Sequence, residues 1–137
     1  MTKLFLDTAP FIYLIENHPV FYQPVETCLA KAVAEGATLV TSVVFYMEFC
    51  VKPEQVGRPD IIQDFNELLR DLSIEVEGVS RVVAAEAAKL RATHLFLKGM
   101  DALQIATAVC SGCDGFLTND SKLKNVVKIP VWLITEL

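Results

Sequence analysis

The sequence has no apolar run that approaches the ~20 residues of a membrane-spanning helix, because Lys, Glu, Asp or Pro interrupts every one. The apolar residues at positions 4–6 are also too few for a signal peptide. Internal repeats, low-complexity segments and linkers are absent, and 53% of the 137 residues are hydrophobic, which excludes disorder. We therefore expect a soluble cytoplasmic protein with a single domain over residues 1–137 and no membrane partner.

Basic residues are scarce. The chain has 12 Lys and Arg against 17 Asp and Glu, and this balance argues against a protein that binds nucleic acid mainly through a basic surface. The acidic excess lies in residues 1–88, which have 13 acidic and 6 basic residues, whereas residues 89–137 have 4 acidic and 6 basic ones. Since a divalent cation in an acidic pocket would lower its negative potential, charge alone does not decide the partner.

Cysteine, histidine and glycine form none of the familiar chemical motifs. Only Cys110 and Cys113 have suggestive spacing, and a zinc site would need two further ligands. A thioredoxin-like motif would open a helix after a strand, whereas this pair closes a helix before a strand. His18 and His94 follow no metal-ligand spacing, and the glycines are isolated, so no phosphate-binding loop is present. We interpret the cysteines as small hydrophobic residues.

Short apolar segments alternate with helical patterns along the chain. Strands are predicted at 3–6, 38–41, 73–76, 115–118 and 131–134. Helices are predicted at 11–16, 22–35, 42–51, 57–72, 81–97 and 101–111, with a short one after Asp120. This alternation indicates a three-layer α/β/α fold, in which helices cover both faces of a central, mostly parallel five-stranded sheet.

Four carboxylates interrupt or border these apolar segments: Asp7, Glu48, Asp101 and Asp120. An unpaired ionised carboxylate in an apolar setting is costly, so four of them suggest a shared cation, most simply a divalent metal bound by oxygen ligands. Asp7 and Asp120 follow predicted strands, and ligands bind at the carboxyl ends of strands in such sheets. Glu48 lies in the helix after the second strand and Asp101 at the start of a helix, so all four can converge on one edge.

Each aspartate also has a local structural explanation. Asp7 can bond the backbone of the following turn, and Asp120 can cap a short helix. Asp101 with Gln104 fits a capping-box arrangement. Glu48 has no such alternative, and inside an apolar helix we expect it to face a pocket or a compensating partner.

The most specific motifs are residues 101–108 (Asp-Ala-Leu-Gln-Ile-Ala-Thr-Ala) and residues 118–120 (Thr-Asn-Asp). Together with Leu6-Asp7-Thr8 and Glu48, they occur in an order that resembles the PIN-domain family over nearly the whole chain. Within that family the chain is most similar to the VapC-like toxins of bacterial and archaeal toxin–antitoxin pairs. Gln104 departs from the pattern, because many relatives carry His there, but the position is not a metal ligand in the family.

The resemblance implies a PIN-like fold and a ribonuclease that depends on Mg²⁺ or Mn²⁺. Asp7, Glu48, Asp101 and Asp120 would be its acidic quartet, with Thr118 as the hydroxyl residue beside it. We assign Asp7 and Asp101 as principal metal ligands, Asp120 as a ligand to the same or a second ion, and Glu48 as a ligand or water-orienting base. Such a site would activate a water for in-line attack on a phosphodiester.

The resemblance also implies partners. Besides the RNA substrate, it adds a small antitoxin protein and a homodimer. The segment from Phe11 to Ile15, followed by Phe21 and Tyr22, is rich in aromatic and branched residues. It either packs in the core or forms an exposed groove for a partner helix, and the antitoxin is the candidate for that helix.

Three other functions stay open from the sequence. A PIN-like nuclease in RNA processing would have the same site without an antitoxin. A phosphoacceptor or phosphatase with a nucleophilic Asp7 would need a second acidic residue close after it, which Thr8-Ala9-Pro10 does not provide. A catalytically silent binding module would have no need for the four carboxylates.

Overall fold

The five segments predicted as strands form one parallel sheet in the computed structural model, which describes residues 1–137. The strands are β1 (Lys3–Leu6), β2 (Thr38–Ser42), β3 (Glu75–Glu77), β4 (Gly115–Thr118) and β5 (Val131–Leu133). The helices are α1 (Thr8–Ile15), α2 (Tyr22–Ala34), α3 (Val43–Gln55), α4 (Pro59–Asp71), α5 (Arg81–Thr93) and α6 (Gly99–Cys110). Two 3₁₀ helices follow β4 and β5, at Ser121–Asn125 and Ile134–Glu136. None of the helices is both long and apolar enough to cross a membrane.

The strand order is β3-β2-β1-β4-β5, and every neighbouring pair is parallel. The chain builds the sheet outward from β1 in one direction and then returns to add β4 and β5 on the other side. The order therefore reverses between β1 and β4, and such a switch point opens a crevice at the carboxyl ends of the two strands. The predicted α/β fold is confirmed, and the sheet is parallel throughout rather than mostly parallel.

Alternating side chains of the inner strands bury both faces of the sheet, as a parallel sheet requires. On one face Phe5, Val40 and Phe116 pack against α5 and α6. On the other face Leu4, Leu6, Leu39 and Leu117 pack against helices on the α1–α4 side. These two cores make the three layers. Small side chains on α6, including Ala102 and Ala106, are fully buried and let this helix lie close to the sheet.

Several helix boundaries differ from the sequence prediction: α1 begins at Thr8 and not at 11, and α3 continues to Gln55 and does not end at 51. Helix α6 begins at Gly99 with Lys98 as its N-cap, so residues 98–100, predicted as a loop, open the helix. Asp101 is therefore in the first turn and does not cap it. Helix α5 ends at Thr93, not near Leu97, because the chain turns there and buries Leu97 in the core while the Leu97 carbonyl accepts a hydrogen bond from Arg91.

Asp114, just before β4, holds the start of β1 in place. Its carboxylate accepts hydrogen bonds from the backbone N–H of Thr2 at 2.9 Å and of Lys3 at 2.9 Å. These N–H groups lower the pKa of the exposed Asp114 carboxyl, since they favour its charged form.

We expect the Asp114 contribution to stability to depend on pH. Because the pKa of Asp114 is lower in the folded state, its contribution is present above the ordinary carboxyl pKa and is lost as the pH falls through the folded value. The melting temperature of the parent should therefore exceed that of Asp114→Asn at neutral pH, and the difference should shrink between about pH 7 and about pH 3. Thermal unfolding monitored by circular dichroism measures this difference in melting temperature. A difference that stays constant over this range would contradict the assignment.

Candidate functional site

A cleft lies at the switch point, at the carboxyl ends of β1 and β4. Three carboxylates line it, together with the side chains of Tyr13, Thr118 and Asn119; the carboxylates are Asp7, Asp101 and Asp120. They come from different elements, since Asp7 follows β1, Asp120 follows β4, and Asp101 lies in the first turn of α6. The structure thus brings three of the four predicted acidic residues together.

Asp7 is the most constrained of the three. Its carboxylate accepts a hydrogen bond from the Thr118 hydroxyl at 2.7 Å and another from the Gln104 amide at 3.3 Å, one on each oxygen. Its backbone N–H donates to the Leu117 carbonyl at 3.0 Å, which extends the pairing of β1 with β4 by one residue. These bonds leave little freedom for rotation of the carboxylate.

Thr118 and Asp120 are tied to the same arrangement. The fully buried Thr118 hydroxyl donates to Asp7 and accepts a hydrogen bond from the Asp120 backbone N–H at 3.1 Å. The Asp120 carboxylate accepts from the Lys122 N–H at 3.0 Å and so caps the following 3₁₀ helix. The capping role expected as an alternative for Asp120 is therefore present, and the residue still lines the cleft.

The electrostatics of the cleft oppose three free negative charges. The pKa of Asp7 is raised, mainly by burial and further by the charges of Asp101 and Asp120, although the Thr118 hydrogen bond acts in the opposite direction. The pKa of Asp101 is raised by burial and by Asp120, with Lys98 opposing. The site is thus built to favour a bound positive charge.

Glu48 lies apart from this group. It is exposed on α3, is not among the residues that line the cleft, and its carboxylate accepts no hydrogen bond. The structure does not bring Glu48 to the cleft where the other three carboxylates meet, and the role expected for it stays a prediction. The apolar residues around it do not indicate burial, because Val43, Met47 and Val51 on the same helix are exposed as well.

Several polar contacts were not predicted as part of the site. Gln104, interpreted as half of a capping box, instead points inward and joins Ser42 to Asp7. Asn119 donates to the Tyr13 hydroxyl at 2.8 Å, and both residues line the cleft. The one available signal for Gln104 was its polarity in an otherwise apolar stretch of α6.

A larger and more apolar groove lies between α2 and the chain termini, lined in part by Cys28, Lys31 and Trp132. Its only acidic side chain is Glu35, which lies one helical turn from Lys31. This groove therefore has no cluster of acidic side chains like that of the smaller cleft, and the smaller cleft is the candidate site.

The cleft residues fit a divalent cation with oxygen ligands. The donors are carboxylates, without a thiol or imidazole among the lining residues, and this chemistry suits Mg²⁺ or Mn²⁺. No three acidic, His or Cys side chains are close enough to form a complete ligand cage. Mg²⁺ does not require one, since it commonly binds one or two carboxylates and keeps several waters for exchange with substrate phosphate.

Comparison with known families matches the PIN domain over residues 4–129. The chain belongs to the PIN-domain family. Proteins of this family are nucleases. A comparison with curated protein sequences gave no match.

Solved structures share the fold of this PIN domain. A VapBC complex from Salmonella typhimurium bound to DNA aligns with a TM-score of 0.77 at 19% identity, covering 98% of this chain and 99% of that one. VapBC2 from Rickettsia felis, bound to a DNA fragment from their promoter, gives 0.76 at 18% identity, with coverages of 96% and 98%. A toxin–antitoxin complex from Klebsiella pneumoniae gives 0.68 at 20% identity, with coverages of 96% and 97%.

Proposed function

We propose that this PIN domain is a cytoplasmic endoribonuclease that hydrolyses RNA phosphodiester bonds with Mg²⁺ or Mn²⁺, and that it is the toxin of a toxin–antitoxin pair. The observation that carries the proposal is the convergence of Asp7, Asp101 and Asp120 on one cleft at the switch point of the sheet. Burial and repulsion from neighbouring carboxylates raise the pKa of both Asp7 and Asp101, and a bound cation relieves both costs.

In this proposal Asp7 and Asp101 hold the ion, and Asp120 binds the same ion or a second one. When bound, the ion lowers the pKa of a water and neutralises charge on the phosphate. The protein's contribution is orientation. Thr118 and Gln104 donate to the two oxygens of Asp7, keep it an acceptor and hold its carboxylate plane fixed towards the cleft.

We assign Glu48 as a residue that orients the attacking water or contacts the RNA, and not as a fixed ligand. Its carboxylate is exposed and accepts no hydrogen bond, so it is available to substrate. Helix α3, which carries it, begins directly after its N-cap Ser42, and the Ser42 hydroxyl donates to Gln104 of the site. The N-terminus of α3 is thus linked to Asp7 through Gln104.

A groove between α1 and α4 supports the antitoxin as partner. Its apolar side chains are Leu14, Ile15, Tyr22 and Leu68, and its acidic side chains are Asp64, Glu67 and Asp71. Such a surface fits an amphipathic helix that carries basic residues beside its apolar face. The structural relatives include a toxin–antitoxin complex, which favours the same kind of partner here.

The exposed face of α3 supports a homodimer. Val43, Met47 and Val51 recur at four-residue spacing and are 42%, 52% and 47% exposed. A contiguous apolar stripe of this kind is typical of a surface that another protein covers. We propose a second copy of the chain as its occupant.

The experiment that tests the function is cleavage of a structured RNA by purified protein with Mg²⁺, Mn²⁺ or EDTA. We expect cleavage with either ion, loss of cleavage in EDTA, and recovery when the ion is added in excess, because the carboxylates alone cannot activate a water efficiently. A 5′-labelled RNA resolved on a denaturing gel reports internal cuts. Cleavage that continues unchanged in EDTA, or no cleavage under any of these conditions, would contradict the proposal.

A further inference from the structure

A continuous line of hydrogen bonds runs through the buried side of the site. The Phe45 N–H donates to the Ser42 hydroxyl at 3.2 Å, and that hydroxyl donates to the Gln104 carbonyl oxygen at 2.7 Å. The Gln104 amide nitrogen then donates to Asp7 Oδ1 at 3.3 Å. Gln104 is only 3% exposed and Ser42 is fully buried, so water does not compete for these bonds.

The negative charge of Asp7 decides how the Gln104 amide is oriented, and with it which group donates and which accepts in each hydrogen bond of this line. A reversed Gln104 amide would place its oxygen against the carboxylate, and two acceptors would face each other. With the amide oriented as observed, the Ser42 hydroxyl must donate to Gln104 and is free to accept from the backbone of α3. Each donor therefore has one acceptor, which is the condition for a stable buried polar network.

We propose that Gln104 is a positioning residue of the nuclease site, one that acts through Asp7 and couples it to the start of α3. A buried glutamine loses hydration and side-chain freedom on folding. An apolar side chain of equal length would therefore cost less free energy at this position. The two hydrogen bonds of its amide explain why the residue is polar. The amide nitrogen donates to Asp7 Oδ1, and the amide oxygen accepts from Ser42, the N-cap of the helix that carries Glu48. Gln104 is buried and does not line the cleft, so its link to the site is the hydrogen bond to Asp7. The inference rests on the proposed function.

The test compares Gln104→Met, which keeps the length but removes both bonds, with Gln104→Asn, which keeps the amide but shortens its reach. Thr107→Val is the matched control, because Thr107 is another buried polar residue of α6 whose hydroxyl donates only to the Leu103 carbonyl of its own helix. Single-turnover and steady-state RNA cleavage give kcat and KM. Calorimetric titration with Mn²⁺ alone gives the dissociation constant of the ion, and thermal unfolding shows that each variant is folded.

We expect Gln104→Met to lower kcat and to weaken Mn²⁺ binding, each by about 10–100-fold, with KM for RNA nearly unchanged. Gln104→Asn should also lower kcat and weaken Mn²⁺ binding, whereas Thr107→Val should have the kcat and Mn²⁺ affinity of the parent. In an Asp7→Asn background, Gln104→Met should not weaken Mn²⁺ binding further. A folded Gln104→Met or Gln104→Asn protein with parental kcat and Mn²⁺ affinity overturns the inference, as does an equal loss in Thr107→Val. A parent that neither cleaves RNA nor binds Mn²⁺ overturns the proposed function instead.

Discussion

Replacing Asp101 by Asn should lower the rate of RNA cleavage by about 10²–10³-fold, the loss typical when one preorganised electrostatic group is removed from a catalytic site. The amide is nearly isosteric, but it cannot offer a charged ligand to a divalent cation. Asp101 lines the cleft from a different element than Asp7 and Asp120, and its loss leaves only these two carboxylates in the cleft. Initial rates at saturating Mg²⁺ or Mn²⁺, measured on the same RNA, give the ratio.

The same substitution should not destabilise the metal-free protein, which separates a lost ligand from a lost fold. Burial and repulsion from Asp120 raise the pKa of Asp101, so a neutral side chain there removes an unfavourable charge. We therefore expect the melting temperature of Asp101→Asn in EDTA to equal or exceed that of the parent. A melting temperature far below the parent's would mean that Asp101 is needed for folding.

Asp60→Asn is the control for the activity measurement. Asp60 is an exposed carboxylate in the first turn of α4, paired with Arg58 at 2.7 Å and distant from the cleft lining. It should cleave RNA at the parental rate. Equal cleavage by the parent and Asp101→Asn would point to a contaminating nuclease.

In cells, expression of the parent should arrest growth if it is a toxin, whereas expression of Asp101→Asn should not.

The positions of Asp7 and Asp120 were predictable because they depend on local patterns. Each follows a short apolar strand, and parallel strands place their carboxyl ends at one edge. The order of the strands was not predictable in this way. That β1 and β4 are neighbours depends on how α5 and α6 pack across the sheet, and no local pattern encodes this packing.

Gln104 and Glu48 show where sequence patterns mislead. Asp101 and Gln104 have the spacing of a capping box, but α6 begins two residues earlier, so the same spacing turns Gln104 inward to Ser42. Apolar neighbours suggested that Glu48 faces a pocket or a compensating partner, yet α3 exposes Glu48 together with several apolar residues. Helix starts and helix exposure are both decided by tertiary and quaternary packing, and a local pattern reports neither with certainty.

Replacing Phe65 by Ala should lower the free energy of unfolding by about 3–5 kcal/mol, the cost of removing a fully buried aromatic ring. Phe65 on α4 contacts rings from two other helices, with centroid distances of 5.7 Å to Phe11 and to Phe45 and 4.1 Å to Phe49. These partners are aromatic and mutually packed, so they cannot collapse fully into the cavity. Urea denaturation measures the change, which is a large share of the ~5–15 kcal/mol that stabilises a typical domain.

Phe96→Ala makes the same chemical change at a ring that is 59% exposed, and it should alter the free energy of unfolding by less than about 0.5 kcal/mol. The Phe65 variant also tests whether the aromatic core positions the site.

Phe11 belongs to α1, which begins directly after Asp7, and Phe45 belongs to α3, which begins directly after Ser42. The Phe65 ring therefore contacts both helices that begin at the two ends of the Asp7–Gln104–Ser42 hydrogen-bond line. Suppose that Phe65→Ala is less stable but cleaves RNA at the parental rate at low temperature. The hydrogen bonds alone then keep the site residues in position. If the cleavage rate instead falls at temperatures where the variant is still folded, the aromatic core also keeps these residues in position.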